Sequence, residues 1–207
     1  EVSKARARAG VHAMDRAISA ADVRSLALSF GGVRRAAVRR HPRRRDRLTV
    51  FALGEGGRSL TEDDRARLRS YLVSRMPPGT SVSVDDASRV PVSLRLVLRV
   101  DPGYDPLAVV AEARVRLGVD AAAATRPGLL LPGRPELGEE VHLSDVYAVL
   151  DGIPHLASAF VDLLHRAGEP PARRDRIDVG PFAVAVWGSS EPGAEPVTIA
   201  WEEARDR

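Results

Sequence analysis

The chain has 207 residues, 44% of them apolar but only 4% aromatic, so a core is available and must be built from Val, Leu and Ala rather than rings. It has no cysteine, which excludes disulfides and thiolate metal sites and fits a reducing compartment. It also has no apolar run near the roughly 20 residues of a membrane-spanning helix. The net charge is +3 and the pI about 9.9, with Lys4 the only lysine; Arg alongside abundant Ala, Gly and Pro is also what GC-rich coding yields without any basic function.

Residues 1–17 are rich in Ala and Arg and read as a connector from an upstream region; the opening Glu1-Val2-Ser3-Lys4, lacking an initiator Met, reads as a piece of a longer polypeptide. Ser19 or Ala20 opens a helix that runs to about Ser29, with Asp22 in its first turn and Gly31-Gly32 ending it. A strand follows over 33–39, then an Arg-rich turn holding Pro42, a second strand over 48–53 and a glycine loop at 54–57. Thr61 followed by Glu62, Asp63 and Asp64 is a helix start. Leu68, Tyr71, Leu72 and Arg75 mark one face of that helix, and Pro77-Pro78-Gly79 ends it before a short strand with Val82 and Val84.

The cleanest strand covers 90–100. Val90, Val92, Leu94, Leu96, Leu98 and Val100 share one face while Arg95 and Arg99 point the other way, which predicts an antiparallel sheet with one open side. Asp105-Pro106 starts a helix whose Val110, Ala113 and Leu117 face inward, stopped by Gly118. Residues 119–140, with consecutive alanines and then Pro and Gly, predict a long loop. Segments 177–179 and 182–187 read as closing strands, and 188–207 as a polar tail with an apolar patch at 197–201. The domain reading is therefore a connector at 1–17, a first module at 18–87, a second at 88–187 carrying the 119–140 loop, and a tail at 188–207.

A short pattern occurs twice, 123 positions apart. The first copy has Asp22 and Val23, then Leu26, Gly32, Val33, Ala36 and Val38. The second has Ser144, Asp145, Val146 and Tyr147, then Val149, His155, Leu156, Ala159 and Val161. Each copy describes a short helix, a tight turn and an outgoing strand, and such a duplicated unit is a scaffold rather than a source of chemistry. The fold class is thus α+β: two small modules in tandem, each a mostly antiparallel sheet with helices packed on one side.

The strongest charge feature is Arg34, Arg35, Arg39, Arg40, Arg43, Arg44, Arg45 and Arg47. A nucleic-acid module would lay these on phosphates with a steep salt dependence, but the stretch lacks interleaved aromatics for stacking. A solvated hairpin, or a rim contacting an acidic protein, is the plainer reading. His142, His155 and His165 match no metal-ligand spacing, and the acids at 62–64, 85–86 and 139–140 sit where helix and turn chemistry explain them. No nucleophile elbow or phosphate loop is present, so neither an enzyme nor a cofactor is expected.

The order of the pieces carries a resemblance. Asp15-Arg16-Ala17-Ile18 leading to Asp22, the turn Gly31-Gly32-Val33-Arg34-Arg35-Ala36, the run from Arg75 through Pro78-Gly79-Thr80 to Val84, Val90-Pro91-Val92, Val100-Asp101-Pro102-Gly103-Tyr104-Asp105 and Gly138 through Ser144-Asp145-Val146-Tyr147 resemble, in sequence, the C-terminal portion of the baseplate J-like wedge proteins of contractile phage tails and injection systems. Two departures are the 119–140 loop, which has Ala, Pro and Leu where relatives often carry a Gly/Trp-containing segment, and Val23 in place of an aromatic.

The resemblance implies a structural subunit made in the bacterial cytoplasm and built into the baseplate of a tail-like particle. Its partners would be wedge subunits, either copies or siblings, with hub and sheath-proximal proteins. No nucleic acid, membrane span or cofactor would be involved. The residues 34–47 hairpin together with Arg95 and Arg99 would be the contact surfaces, because the guanidinium fork pairs carboxylates bidentately. An accessory ligand-binding domain with 119–140 as a lid is the remaining alternative.

Overall fold

The computed structural model describes residues 19–120, 128–131, 134–189 and 192–204. The expected connector at 1–17, the motif residues Asp15 to Ile18 and the alanine-rich part of the predicted loop lie outside the described residues. Two compact units divide the chain, Glu1–Ser88 and Arg89–Arg207.

In the first unit, α1 (Ala20–Ser29) begins at a reciprocal cap. The Asp22 N–H donates to Ser19 Oγ at 3.2 Å, and the Ser19 N–H donates to Asp22 Oδ2 at 2.7 Å. After the turn come β1 (Val33–His41) and β2 (Arg44–Gly54), each longer than its sequence expectation because the hairpin closes at Pro42-Arg43 itself. Helix α2 (Glu62–Val73) crosses over to β3 (Ser81–Asp86). The sheet order is β1-β2-β3, antiparallel between β1 and β2 and parallel between β2 and β3. A helix between β2 and β3 is the connection that a parallel pair requires. Leu48, Val50 and Ala52 are buried at alternate positions of β2, against Val23, Leu26, Leu68 and Leu72 from the two helices. Helix α2 ends ahead of its prolines, and Arg75, beyond its last turn, lays its guanidinium 4.0 Å from the Tyr71 ring centre.

In the second unit, β4 (Ser88–Val100) is central, and its apolar face is buried as the alternation predicts. Helix α3 (Pro106–Leu117) follows. Its buried face is Val109, Ala113 and Leu117, with Val110 only half-buried, and Pro106 occupies its first turn as expected. Then come β5 (Val141–His142), α4 (Leu143–Leu150), β6 (Leu156–Arg166), β7 (Arg176–Ile177), β8 (Ala183–Trp187) and β9 (Val197–Glu203). Strand β6 lies antiparallel on one side of β4. Strands β8 and β9 share the other side, β9 running parallel along Leu94 to Val100.

Two expectations change. Residues 197–203 are not part of a polar tail: they form β9, with Val197 completely buried opposite Leu94, because a strand beside β4 needs only alternate apolar side chains, here Val197 and Ile199. Within the expected α+β class, the two larger sheets are also mixed, each with a parallel pair beside an antiparallel one, while β5 and β7 form a small antiparallel pair.

The start of the 119–140 segment and its described middle are anchored. Gly118 adopts φ 82° to end α3, and the N–H groups of Leu129 and Leu130 donate to the carbonyls of Arg116 and Leu117 at 2.9 and 3.2 Å. Leu130 is buried in the core, and a Cβ on Gly128 would stand 2.5 Å from the Gly118 Cα, so this crossing needs glycine. Residues 128–130 are therefore a pinned strap, whereas a lid would need to be free to move.

Candidate assembly surfaces

The arginines of the first hairpin do not form one stripe. The register pairs Arg40 with Leu48 and Val38 with Val50, so Arg40 shares the face of the buried β2 residues. Arg35, Arg39 and Arg47 lie on the opposite face, where the Arg39 guanidinium sits 5.0 Å from the centre of the Phe51 ring. Arg43 and Arg44 are exposed at the hairpin tip, and Arg34 is half-buried at a bulge where its carbonyl accepts from Arg35 Nη1. The Arg45 side chain lies outside the described part of the structure. Among the described residues Arg34, Arg40, Arg43, Arg44 and Arg47 face no carboxylate. The geometry is a two-sided cationic finger.

Arg95 and Arg99 are exposed on the open face of the second sheet but are already paired. Arg95 meets Asp162 of β6 at 2.6 Å, and Arg99 meets Glu202 of β9 at 2.5 Å. Both are cross-strand pairs within the sheet. At this exposure each contributes at most about 1 kcal/mol.

The duplicated residues take matching places. Asp22 and Asp145 both sit in first turns, and the Asp145 carboxylate accepts from the His142 N–H at 3.1 Å as Asp22 accepts from Ser19. Val23 and Val146 are the buried first anchors, Val33 is buried at the strand start, and Ser144 is exposed. Gly32 turns the chain with φ 92°; His155, its counterpart 123 positions on, does the same with φ 63°. A side chain there costs strain, and His155 stacks its ring on Tyr104 at 3.4 Å between centroids.

A feature absent from the sequence expectations joins the two copies. Arg24 and Tyr147 occupy equivalent positions on α1 and α4, and each reaches the outer edge of its outgoing strand. Arg24 Nε donates to the Ala36 carbonyl of β1 at 2.9 Å, and the Val161 N–H of β6 donates to Tyr147 Oη at 3.2 Å. Ala36 and Ala159 are equivalent, as are Val38 and Val161, so the two latches close neighbouring groups at one station of the edge. The repeat spacing would have paired position 24 with Tyr147, but Arg and Tyr share no sequence signal for the task.

The acidic clusters are structurally engaged. Glu62 and Asp86 both hold Arg65, and Glu140 faces Arg176. Asp64 pairs with Arg67 and is held below the usual carboxylate range, first by the hydrogen bond from the Thr61 hydroxyl, with Arg67 adding to it. Among the described residues, no group of three or more His, Asp or Glu side chains is arranged to hold a metal ion. No helix of the described chain is long and apolar enough to cross a membrane.

Comparison with known proteins places the fold. Residues 15–85 match the family model of the baseplate J-like central domain. A chain in the cryo-EM structure of the anti-feeding prophage (AFP) baseplate, 6-fold symmetrised, superposes with a TM-score of 0.62 at 16% identity. That match covers 88% of the present chain and 40% of the baseplate chain, so the residues described here span well under half of that protein. A search of curated proteins gives no match.

Proposed function

We propose that this chain is the tandem α+β portion of a baseplate wedge component, serving assembly rather than catalysis in a contractile tail or injection particle. The observation that carries the reading is the family match over residues 15–85, joined to a shared fold that extends across both units. The architecture supports it: two small modules expose a cationic hairpin, an open sheet face and sheet edges, which are the surfaces a subunit packed among neighbours uses. Its partners are other baseplate proteins, wedge copies or siblings first among them, and the hub and sheath-proximal proteins after those.

The test is negative-stain electron microscopy of particles from the native host, with and without the segment encoding residues 1–207. Loss of sheathed particles, with bare tubes or free baseplate parts in their place, is the expected result. Intact particles from the deletion strain would overturn the reading.

A further inference from the structure

Each copy of the repeat ends in a strand that forms the edge of its sheet: β1 in the order β1-β2-β3, and β6 in the order β6-β4-β8. An edge strand presents unpaired backbone groups that another strand can complete. On β6 the far end is covered, because the Leu164 N–H donates to the Ala172 carbonyl and the Leu164 carbonyl accepts from Arg174. Val161 is latched by Tyr147. Between that latch and the turn, the N–H and carbonyl of Ala159 point outward by strand alternation and have no partner among the described residues. Beside them runs a groove of about 440 Å³ between the end of α4 and β6, lined by Tyr147, Asp151, Ala157 and Ala159. Its small side chains admit a strand, and the exposed Asp151 carboxylate forms no ion pair among the described residues, the neighbouring Arg116 guanidinium being held by the Asp151 and Gly152 carbonyls and Glu112.

On β1 the same logic leaves the outward groups of Val38 and Arg40 open, with Ala36 latched by Arg24. Two β1 edges would bring Arg against Arg, whereas β1 against β6 brings cations to Asp151. We infer that β1 of one copy of this chain adds antiparallel to the β6 edge of a second copy, head to tail. In that register Val38 lies opposite Ala159 and exchanges a pair of backbone hydrogen bonds with it. Arg40 falls opposite Ala157, beside Asp151. The two latched stations, Ala36 and Val161, then meet at the closed end. Because the interface joins two different surfaces, each copy keeps a free edge of the other kind after one contact, to which a further copy can add. The contact is short, and its strength in a particle comes from repetition. This inference rests on the wedge reading for its setting and names one of its contacts.

The test is sedimentation of the full chain across concentration, with Val38→Pro and Ala159→Pro. Each substitution removes one outward N–H at an edge position where proline is tolerated. The parent chain is expected to associate progressively, and each variant alone to weaken that association at least roughly fivefold, the equivalent of one backbone hydrogen bond of about 1 kcal/mol. An equimolar mixture of the two regains a 1:1 dimer, since each supplies the edge the other lacks.

Arg40→Glu and Asp151→Arg, both at exposed positions, repeat the test without touching the backbone. Each alone weakens association, and the double variant R40E/D151R restores it. A parent chain that stays monomeric, a mixture that stays monomeric, or charge variants that leave association unchanged overturns the inference. Particle assembly is scored separately by microscopy, so failure of this contact is distinguishable from failure of the wedge reading.

Discussion

The two latches give the sharpest quantitative expectation. Tyr147→Phe keeps the ring packed against the core while deleting the oxygen that accepts the Val161 N–H at 3.2 Å. The donor it abandons is partly buried at the sheet edge, so the loss is that of one hydrogen bond with incomplete replacement by water, about 1–2 kcal/mol. For a unit the size of residues 89–207, each kcal/mol corresponds to a melting shift of ~3–5 °C. The assay is amide hydrogen exchange of the full chain with thermal unfolding alongside. Val161 is expected to lose protection in the variant by roughly tenfold, the equivalent of about 1.4 kcal/mol. At dilutions where the chain is monomeric, the Ala159 amide, which has no partner within the described chain, should exchange rapidly in both proteins. Equal Val161 protection in parent and variant would refute the reasoning, because the edge would then be held by something other than the tyrosine.

Three further expectations follow from particular contacts. Gly128→Ala puts a Cβ 2.5 Å from the Gly118 Cα and 2.9 Å from the Val115 carbonyl oxygen, both backbone atoms that cannot swing aside. It should cost about 1–3 kcal/mol in urea unfolding, and full stability would show that the strap is not pinned there. Thr61→Ala removes the N-cap of α2 and the leading cause of the lowered Asp64 pKa, so carboxyl NMR should find Asp64 titrating closer to the ordinary range. The sign is fixed by direction: a depressed carboxylate contributes stability above its unfolded pKa and loses it as pH falls through the folded value, so the variant loses that share at neutral pH and Asp64 contributes less to its destabilisation on acidification. Val197→Asp buries a carboxylate at a fully buried β9 position, and loss of cooperative unfolding of the second unit is expected. A cooperative melt near the parent's would mean that β9 does not complete the core.

Legibility in the sequence followed the reach of the forces involved. Local signals were readable because local chemistry decides them: Ser19 and Thr61 as caps, Pro106 at a first helical position, Gly118 in the left-handed turn, and the strict alternation of β4. Pairing was not readable in the same way. The alternation of β4 fixed which face is buried but is indifferent to neighbour direction, and β4 pairs antiparallel with β6 and parallel with β9. Strand β9 escaped because its apolar positions, Val197, Ile199 and Trp201, sit among acids and small residues that composition assigns to a tail. Only a long-range partner makes them a strand. Surface assignment was the least legible part: Arg95 and Arg99 are spaced like a binding face, yet their partners Asp162 and Glu202 stand 67 and 103 residues away.

The duplication leaves a strand at the edge of a sheet in each unit. A helix, a glycine-like turn and a strand leave the strand at a sheet edge unless a later element covers it, and in neither unit is the repeat's strand enclosed on both sides. Natural sheets manage such edges with charge, bulges or side-chain cover. Here the two copies have diverged in how they do so. β1 carries arginines on both faces, while β6 stays nearly uncharged along Ala157 to Val161 and has a register shift at each end of that stretch. If blocking aggregation were the whole purpose, the same charged solution would have served both edges. A cationic edge in one unit and, in the other, an edge without charged residues along 157–161 beside the Asp151 carboxylate make two surfaces that discourage self-pairing of the first and leave the second open. That asymmetry is what a subunit joined head to tail requires.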